Sequence, residues 1–166
     1  KEGKRFPSFP EPQTLYIRRC AITPRAVTVQ AGGIVRIHNL DTIDHGFVAR
    51  RGKKKLFEVT VKAGAKVDQV VKGEGFVGLR GTQGRTWMRA WVLSSVQPYV
   101  TATEDGGSYR IGQVKEGAAE VEVWHPPLAK GGDPLIARRT LKLSRWAKGI
   151  ADFTLSDLVS TPSPTR

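Results

Sequence analysis

Two short apolar runs on either side of a glycine turn constrain the fold of this chain more than any other feature. The runs Ala26–Gln30 and Ile34–Asn39 flank the tripeptide at 31–33, and in both runs apolar residues alternate with polar ones. A period of two is typical of a strand with one buried face. Eighteen glycines and ten prolines punctuate the chain, and helical periodicity is weak throughout. The sequence therefore predicts an all-β protein with many turns.

The distribution of strands and turns predicts two domains and two tails. At 166 residues the chain is long enough for one or two small domains. Residues 1–13 are basic and contain three prolines, which predicts an extended tail. We place a first domain at residues 14–97 and a second at 98–158. A flexible tail rich in serine, threonine and proline follows at 159–166.

The stretch AVTVQAGGIVRIHNLDTIDHGF, which begins at Ala26, contains a predicted strand, a glycine turn, a second strand, Asn-x-Asp and then a histidine. This order resembles the opening of a cupredoxin, the small β-sandwich that normally holds one copper ion. In the family this histidine is the first copper ligand, and it corresponds to His45. Asn39 corresponds to the asparagine that braces the ligand loops. The resemblance implies a Greek-key sandwich for residues 14–97.

The metal-binding loop is the place where the chain departs from the family. The stretch GLRGTQGRTWMRAWVL, which begins at Gly78, is similar to the cupredoxin loop, where relatives carry Cys-x-x-His-x-x-Met. This chain has Thr82, Arg85 and Met88 at those three positions. A blue-copper site needs two imidazoles and a thiolate, with a weak axial thioether. A threonine hydroxyl does not ionise near neutral pH, and an arginine keeps its positive charge.

We therefore expect His45, Thr82, Arg85 and Met88 to be vestigial ligand positions that bind no metal, and no other cofactor is indicated. Met88 is expected in the core, with Trp87 packing the loop on the sandwich. His38 lies on the preceding strand, where alternation predicts that it faces away from His45.

The stretch VTATEDGGSYRIGQVKEGAAEVEVWHPPL, which begins at Val100, contains a pattern of turn and apolar residues. This pattern is similar to that of the carboxypeptidase-regulatory-like module, a small transthyretin-like β-sandwich. The matching positions are Thr103, Gly107, Tyr109, Ile111, Val114, Gly117, Trp124 and His125. Lys115-Glu116 replaces the Pro-Pro that relatives usually have. Further strands are predicted at Leu135–Leu143 and at residues 150–155.

The formal net charge of +12 indicates what the chain binds more than how it folds. Five cations crowd one predicted hairpin tip: Arg50, Arg51, Lys53, Lys54 and Lys55. Such a cluster is either a solvated tip or a docking site for an acidic protein or a neighbouring subunit. Anionic lipid or glycan is a further possible partner. Nucleic acid is not favoured, because the tryptophans fall at packing positions and no base-stacking motif is present.

One cysteine, Cys20, excludes a disulfide within the chain. We expect it to be a half-buried residue of the first strand, with an intermolecular disulfide as the alternative.

No apolar run is long enough to span a bilayer. The chain begins at Lys1, as it would after removal of a signal peptide, although a recombinant fragment would look the same. The order of the two modules resembles that in exported bacterial proteins, so we expect a periplasmic or cell-surface location.

Catalysis is not indicated, because three widely separated histidines and one cysteine form no recognisable triad or metal cluster in the sequence. Two hypotheses remain for the function. The first is a copper-free, cupredoxin-like structural or adaptor subunit of an exported assembly. The second is a basic module that binds an anionic glycan, a lipid surface or nucleic acid. A degenerate electron-transfer copper protein is a further alternative.

Overall fold

The computed structural model describes residues 11–127, 134–145 and 148–160. The described residues divide into two compact units between Gly112 and Gln113. The sequence analysis placed this boundary between residues 97 and 98, so residues 98–112 group with the first unit instead. Residues 96–116 contain turns and bends but no strand. In the described ranges, no helix has the length and apolar character needed to cross a membrane.

Strands make up most of the first unit, and all of them are short. The described residues of this unit form β1 (Gln13–Arg18), β2 (Ala21–Thr23), β3 (Ala26–Gln30), β4 (Ile34–Asn39), β5 (His45–Arg51), β6 (Lys54–Val61), β7 (Lys66–Val70), β8 (Gly75–Gly81) and β9 (Arg89–Ser95). The predicted all-β class is confirmed.

Two mixed sheets form the first unit. One has the order β2-β1-β4-β7 and the other β3-β9-β8-β5-β6. The pairs β1–β4 and β3–β9 are parallel, and the remaining pairs are antiparallel. The chain passes repeatedly from one sheet to the other, because β3, β5–β6 and β8–β9 lie in the second sheet while the strands between them lie in the first. Long-range pairing of this kind brings residues far apart in sequence to one end of the unit.

The core of the first unit consists of the alternate, inward-facing residues of its strands. Leu15 and Ile17 of β1, Ile37 of β4 and Phe47 of β5 are completely buried. Burying one such side chain contributes about 1.5–3 kcal/mol. The period-two pattern that predicted strands at 26–30 and 34–39 therefore reflects which residues face this core.

The first strand ends earlier than the sequence predicted. β1 stops at Arg18, and Arg19 and Cys20 form a tight turn to β2. Both turn residues have positive φ angles, 52° and 55°, which is the conformation of a two-residue hairpin turn. The prediction that Cys20 belongs to a strand is wrong, because a strand residue cannot adopt this backbone conformation. Its half-buried state is confirmed.

The described part of the second unit is a small antiparallel sheet. It has the order β10-β11-β12, with β10 (Gly117–His125), β11 (Leu135–Leu143) and β12 (Val159–Ser160). No strand covers residues 150–155. Instead, the Asp157 carboxylate accepts hydrogen bonds from the backbone and hydroxyl of Thr154 and closes a single 3₁₀ turn.

Two further expectations for this unit have mixed outcomes. Val159 and Ser160, which the sequence analysis placed in the C-terminal tail, pair with β11; residues 161–166 lie outside the described ranges, as do residues 1–10 of the N-terminal tail. The positions shared with the carboxypeptidase-regulatory-like module divide between the two units. The transthyretin-like arrangement therefore stays a prediction.

Candidate functional site around His45

His45 is the first residue of β5 and its side chain is completely buried. Its backbone pairs with Val61 of β6, and its ring lies 6.4 Å from the ring of Phe47, measured between centroids. The imidazole is therefore enclosed within the sandwich. A buried, fixed imidazole is a suitable ligand or hydrogen-bonding group, because its position costs no further ordering when a partner binds.

Asn39 fixes the loop that leads into His45. Its Nδ2 group donates hydrogen bonds to the carbonyls of Ile43 (2.8 Å), Val61 (3.1 Å) and Lys62 (3.1 Å). Its Oδ1 accepts the backbone N–H of Asp41 at 3.0 Å. The bracing role that the resemblance implied for Asn39 is confirmed by these contacts.

Asp41 connects His45 to the β1–β2 turn. Its Oδ2 lies 2.9 Å from His45 Nε2 and accepts the backbone N–H of Cys20, also at 2.9 Å. Its Oδ1 accepts the backbone N–H of Arg19 at 2.5 Å. Burial alone would raise the pKa of Asp41, but the hydrogen bonds from Cys20, His45 and Arg19 outweigh it and hold this pKa below its usual range. The carboxylate also stabilises a turn whose two residues are neither glycine nor asparagine.

Cys20 completes a cluster that sequence reasoning missed. The ligand atoms of Cys20, Asp41 and His45 all lie within 4.8 Å of one another. The carbonyl of Cys20 accepts the indole N–H of Trp87 at 3.1 Å, so the loop between β8 and β9 is tied to the same turn. The available signal was the Asn-x-Asp sequence before His45, which placed an acid near the imidazole but did not indicate the thiol.

The predicted metal loop lies against the start of β5. The backbone N–H of Thr82 donates to the carbonyl of Gly46 at 2.9 Å, and a Cβ added to Gly46 would collide with the hydroxyl of Thr82. The N–H of Arg85 donates to Thr82 O, and the N–H of Met88 donates to Arg85 O, both at 3.1 Å. Met88 is 1 % exposed and belongs to the core, as predicted.

The guanidinium of Arg85 reaches the residue next to His45. Its Nη1 donates to the carbonyl of Asp44 at 3.1 Å. The structure therefore brings His45, Thr82, Arg85 and Met88 to one end of the first unit. His45 Nδ1 is buried and has no hydrogen-bond partner among the described residues.

The two other histidines lie apart from this site. His38 of β4 has its ring 5.8 Å from that of Tyr16 and sits on the half-exposed face of its strand, as alternation predicted. Desolvation, and then the nearby charges of Lys66 and Arg36, lower the pKa of His38. His125 ends β10 in the second unit, where its Nδ1 lies 2.6 Å from the carbonyl of Pro126.

The basic cluster lies at the other end of β5. The seven residues of β5 separate His45 from the tip of the β5–β6 hairpin by roughly 20 Å. Arg50 caps the tip by donating to the carbonyl of Lys53 at 2.9 Å, and Lys55 pairs with Glu58 at 3.1 Å. Lys53 and Lys54 are exposed.

One member of the basic cluster is separate from the rest. Arg51 is half-buried, and its Nη2 donates to the carbonyl of Gly73 at 3.0 Å. Its guanidinium thereby packs on the turn between β7 and β8. It stabilises the fold locally and does not add to the exposed charge of the tip.

Comparisons with known proteins find cupredoxins among solved structures, at low identity and low TM-score. No family model matches the sequence, and no curated protein matches it. Among solved structures, amicyanin from Paracoccus versutus (Thiobacillus versutus) is 16 % identical, with a TM-score of 0.46, over 54 % of this chain and 85 % of that one. A purple cupredoxin from Nitrosopumilus maritimus is 18 % identical, with a TM-score of 0.44, over 50 % of this chain and 99 % of that one. Both of these solved structures are cupredoxins, and nothing about the function of this chain follows from a likeness of this degree.

A copper ion of the cupredoxin type does not fit the residues at the β8–β9 loop. That site requires a thiolate and a second imidazole, whereas the loop offers the hydroxyl of Thr82 and the guanidinium of Arg85. A guanidinium is always protonated and cannot donate a lone pair to a cation. The remaining pair, His45 and Met88, is too few ligands for a closed site.

Proposed function

We propose that this chain is a copper-free, cupredoxin-like structural or adaptor subunit of an exported assembly, located in the periplasm or at the cell surface. The observation that carries the proposal is the hydrogen bond from Arg85 to Asp44 O. It holds a permanent cation, from the loop position where the resemblance implies a second copper ligand, against the residue before His45.

The loop between β8 and β9 is fastened without an ion. The backbone of Thr82 bonds to Gly46, the side chain of Arg85 bonds to Asp44, and the indole of Trp87 bonds to Cys20. In a copper protein the ion would link this loop to the start of β5. Direct hydrogen bonds that take over this linkage favour a structural role over electron transfer.

We assign no catalytic activity to the chain. His38, His45 and His125 lie on three different strands. An adaptor role requires only a stable sandwich and a surface that recognises a partner.

The surface that we propose for the partner is the tip of the β5–β6 hairpin. Lys53 and Lys54 are exposed there, and Arg50 fixes the backbone of the turn. A structural turn does not require two exposed lysines beside Arg50. A compact positive tip fits an acidic protein surface, and its contribution should appear mainly in the rate of encounter and in salt sensitivity.

The experiment measures the size of the native assembly. The tagged full-length chain is produced in its source cells, the envelope fraction is extracted gently, and the chain is followed by gel filtration. We expect it to elute well above the 18.2 kDa of the single chain. The variant Lys53→Gln/Lys54→Gln should elute later, and the matched variant Lys72→Gln/Lys115→Gln, which removes two exposed lysines elsewhere, should not.

The second candidate function, a basic module for anionic glycan or lipid, is favoured by the net charge of +12 alone. Binding that depends on total charge should weaken equally in the two double variants and fall steeply with salt. Two results together would replace the adaptor proposal with this one. The two double variants would lose binding to a sulfated polysaccharide equally, and the chain would elute from the envelope extract as a single chain.

A further inference from the structure

We propose that Cys20, Asp41 and His45 form a binding site for one divalent transition-metal ion of the zinc type, with a ligand set that shares only His45 with the copper positions of a cupredoxin. This site uses a thiol from the β1–β2 turn and a carboxylate from the β4–β5 loop. None of its ligands other than His45 corresponds to a copper ligand implied by the resemblance.

The three ligand atoms have nearly the spacing that the ion needs. They lie within 4.8 Å of one another, and His45 Nε2 is 2.9 Å from Asp41 Oδ2. In tetrahedral zinc sites, bond lengths of about 2.0–2.3 Å place neighbouring ligand atoms roughly 3.3–3.8 Å apart. The farthest pair of these atoms would have to approach by about 1 Å to reach this spacing.

The chemistry of the three ligands selects the class of metal. A thiolate and an imidazole favour zinc and its transition-metal neighbours over calcium and magnesium, which prefer oxygen ligands. The thiolate of Cys20 and the carboxylate of Asp41 together carry two negative charges, which balance a divalent cation. This neutralisation is important in a chain whose net charge is +12, because the protein as a whole repels cations.

The ligands are positioned before any ion arrives. His45 is completely buried, and Asp41 is oriented by the N–H groups of Arg19 and Cys20. Cys20 is held through both its own N–H and its carbonyl, which accepts the indole N–H of Trp87. Such supporting contacts fix the geometry of metal ligands and increase affinity.

The site is also open enough to admit an ion. The side chain of Asp41 is 14 % exposed and Cys20 is half-buried. A water molecule can therefore occupy the fourth position of the ion, as in zinc sites with three protein ligands.

The protons balance in a simple way. Binding of one M²⁺ replaces the thiol proton of Cys20, which leaves to solvent. The neutral imidazole of His45 keeps one proton, which moves from Nε2 to Nδ1 so that Nε2 can donate its lone pair. Nδ1 has no hydrogen-bond partner among the described residues, so it can take this proton, and the bond from Nε2 to the ion replaces the hydrogen bond between Nε2 and Asp41. Net release is one proton per ion.

The arrangement is that of a metal site and not of a catalytic triad. In a triad the imidazole stands between the nucleophile and the acid, which lie roughly 7 Å apart on either side of the ring, given two hydrogen bonds of about 3 Å. Here the thiol sulfur lies within 4.8 Å of the carboxylate as well as of the imidazole. The three groups converge on one point.

The test is a titration of the metal-stripped full-length chain with Zn²⁺ and with Co²⁺. We expect one ion per chain to remain after desalting, with the release of about one proton per ion. Cobalt should give the near-ultraviolet charge-transfer band of a thiolate–Co(II) bond and the visible bands of a tetrahedral ion. Cys20→Ser should abolish the charge-transfer band and weaken Zn²⁺ binding at least tenfold.

Two matched variants separate this site from other ligands. His38→Gln removes a half-exposed histidine from a neighbouring strand, and Met88→Leu removes the thioether of the copper position; both should keep full affinity. Because Cys20 is half-buried in a turn, Cys20→Ser should stay folded, which circular dichroism checks. A Zn²⁺ affinity unchanged in Cys20→Ser, or lost in Met88→Leu, would overturn the proposal, as would the absence of a thiolate band with Co²⁺.

Discussion

The indole N–H of Trp87 donates to the carbonyl of Cys20 across 67 residues of sequence, at 3.1 Å. This bond joins the loop between β8 and β9 to the turn between β1 and β2. Trp87 is otherwise 63 % exposed, so its ring is not there to fill the core. Cys20 is therefore held through both of its backbone polar groups: Trp87 donates to its carbonyl, and Asp41 accepts its N–H.

Trp87→Phe should remove this bond while keeping an aromatic ring in place. We expect a loss of about 0.5–1.5 kcal/mol in the free energy of unfolding, the usual net contribution of one hydrogen bond. Urea titration measures it. Stability equal to that of the parent would mean that the bond between Trp87 and Cys20 does not contribute in solution.

The β8–β9 loop should not hold copper by itself. In the Cys20→Ser background, the remaining donors near His45 include the thioether of Met88 but no thiolate. Metal analysis after loading with Cu(II) or Cu(I) and desalting should therefore find well below one copper per chain. One copper ion per chain in Cys20→Ser, lost in Cys20→Ser/Met88→Leu, would contradict this expectation and favour a functional copper site.

Rebuilding the loop should create a cupredoxin site. Thr82→Cys with Arg85→His, again with Cys20→Ser, places Cys-x-x-His-x-x-Met opposite His45. The triple variant should gain copper and an intense thiolate-to-Cu(II) absorption band. Thr82→Cys/Cys20→Ser alone is the control, because it supplies the thiolate but leaves the cation of Arg85. A folded triple variant without copper affinity would show that the loop is aligned wrongly with the family.

Gly46 and Thr82 should be coupled in stability. A Cβ at Gly46 collides with Thr82 Oγ1 but lies 3.6 Å from Thr82 Cβ, an ordinary contact. Gly46→Ala should therefore destabilise the chain by about 1–3 kcal/mol, the range for overpacking a core. Gly46→Ala/Thr82→Ala should recover most of that loss, which a double-mutant cycle measures. If Thr82→Ala instead adds a further loss of stability to that of Gly46→Ala, the chain relieves the collision by some other movement.

The ion pair between Arg36 on β4 and Asp68 on β7 should make a small, pH-dependent contribution to the free energy of unfolding. Two hydrogen bonds of 2.7 Å link them. The hydrogen bond from Arg36 lowers the pKa of Asp68, although desolvation acts in the opposite direction. A carboxyl group whose pKa is lower in the folded state stabilises the fold above its unfolded pKa and loses this effect as the pH falls through its folded pKa.

Asp68→Asn should therefore be slightly less stable than the parent at neutral pH, and the difference should shrink below about pH 5. Thermal melts at a series of pH values measure it. Arg36→Gln removes the same pair from the other side and should show the same trend. A difference that grows toward acid pH would exclude this pair as its source.

The sequence predicted the elements of the first unit well, because its strands have one buried face and short glycine turns. Asn39 and His45 were placed by the resemblance, and in the structure Asn39 braces the loop before His45, which begins β5. Cys20 was placed wrongly in a strand, since its turn conformation depends on a carboxylate 21 residues away that no local pattern reveals. Arg51 was grouped with its neighbours as one charged run, although the alternation along β5 turns Arg50 outward and Arg51 toward the β7–β8 turn.

The sequence predicts a domain boundary between residues 97 and 98, whereas the compact units of the structure divide between Gly112 and Gln113. Residues 98–112 contain turn residues and no strand, so their sequence does not indicate which unit they join. The strand predicted at 150–155 was wrong because Thr154 and Asp157 bond to each other, and a turn closed by side chains is not visible in apolar periodicity.

The length of β5 makes the two ends of the first unit independent engineering targets. Substitutions separated by roughly 20 Å and sharing no contacts are expected to add in their effects on stability. A fluorescent label attached at position 53 would report on partner docking while metal is titrated at His45. If adding metal at His45 changed the fluorescence of this label, the size of the change would measure the allosteric coupling between the two ends of β5.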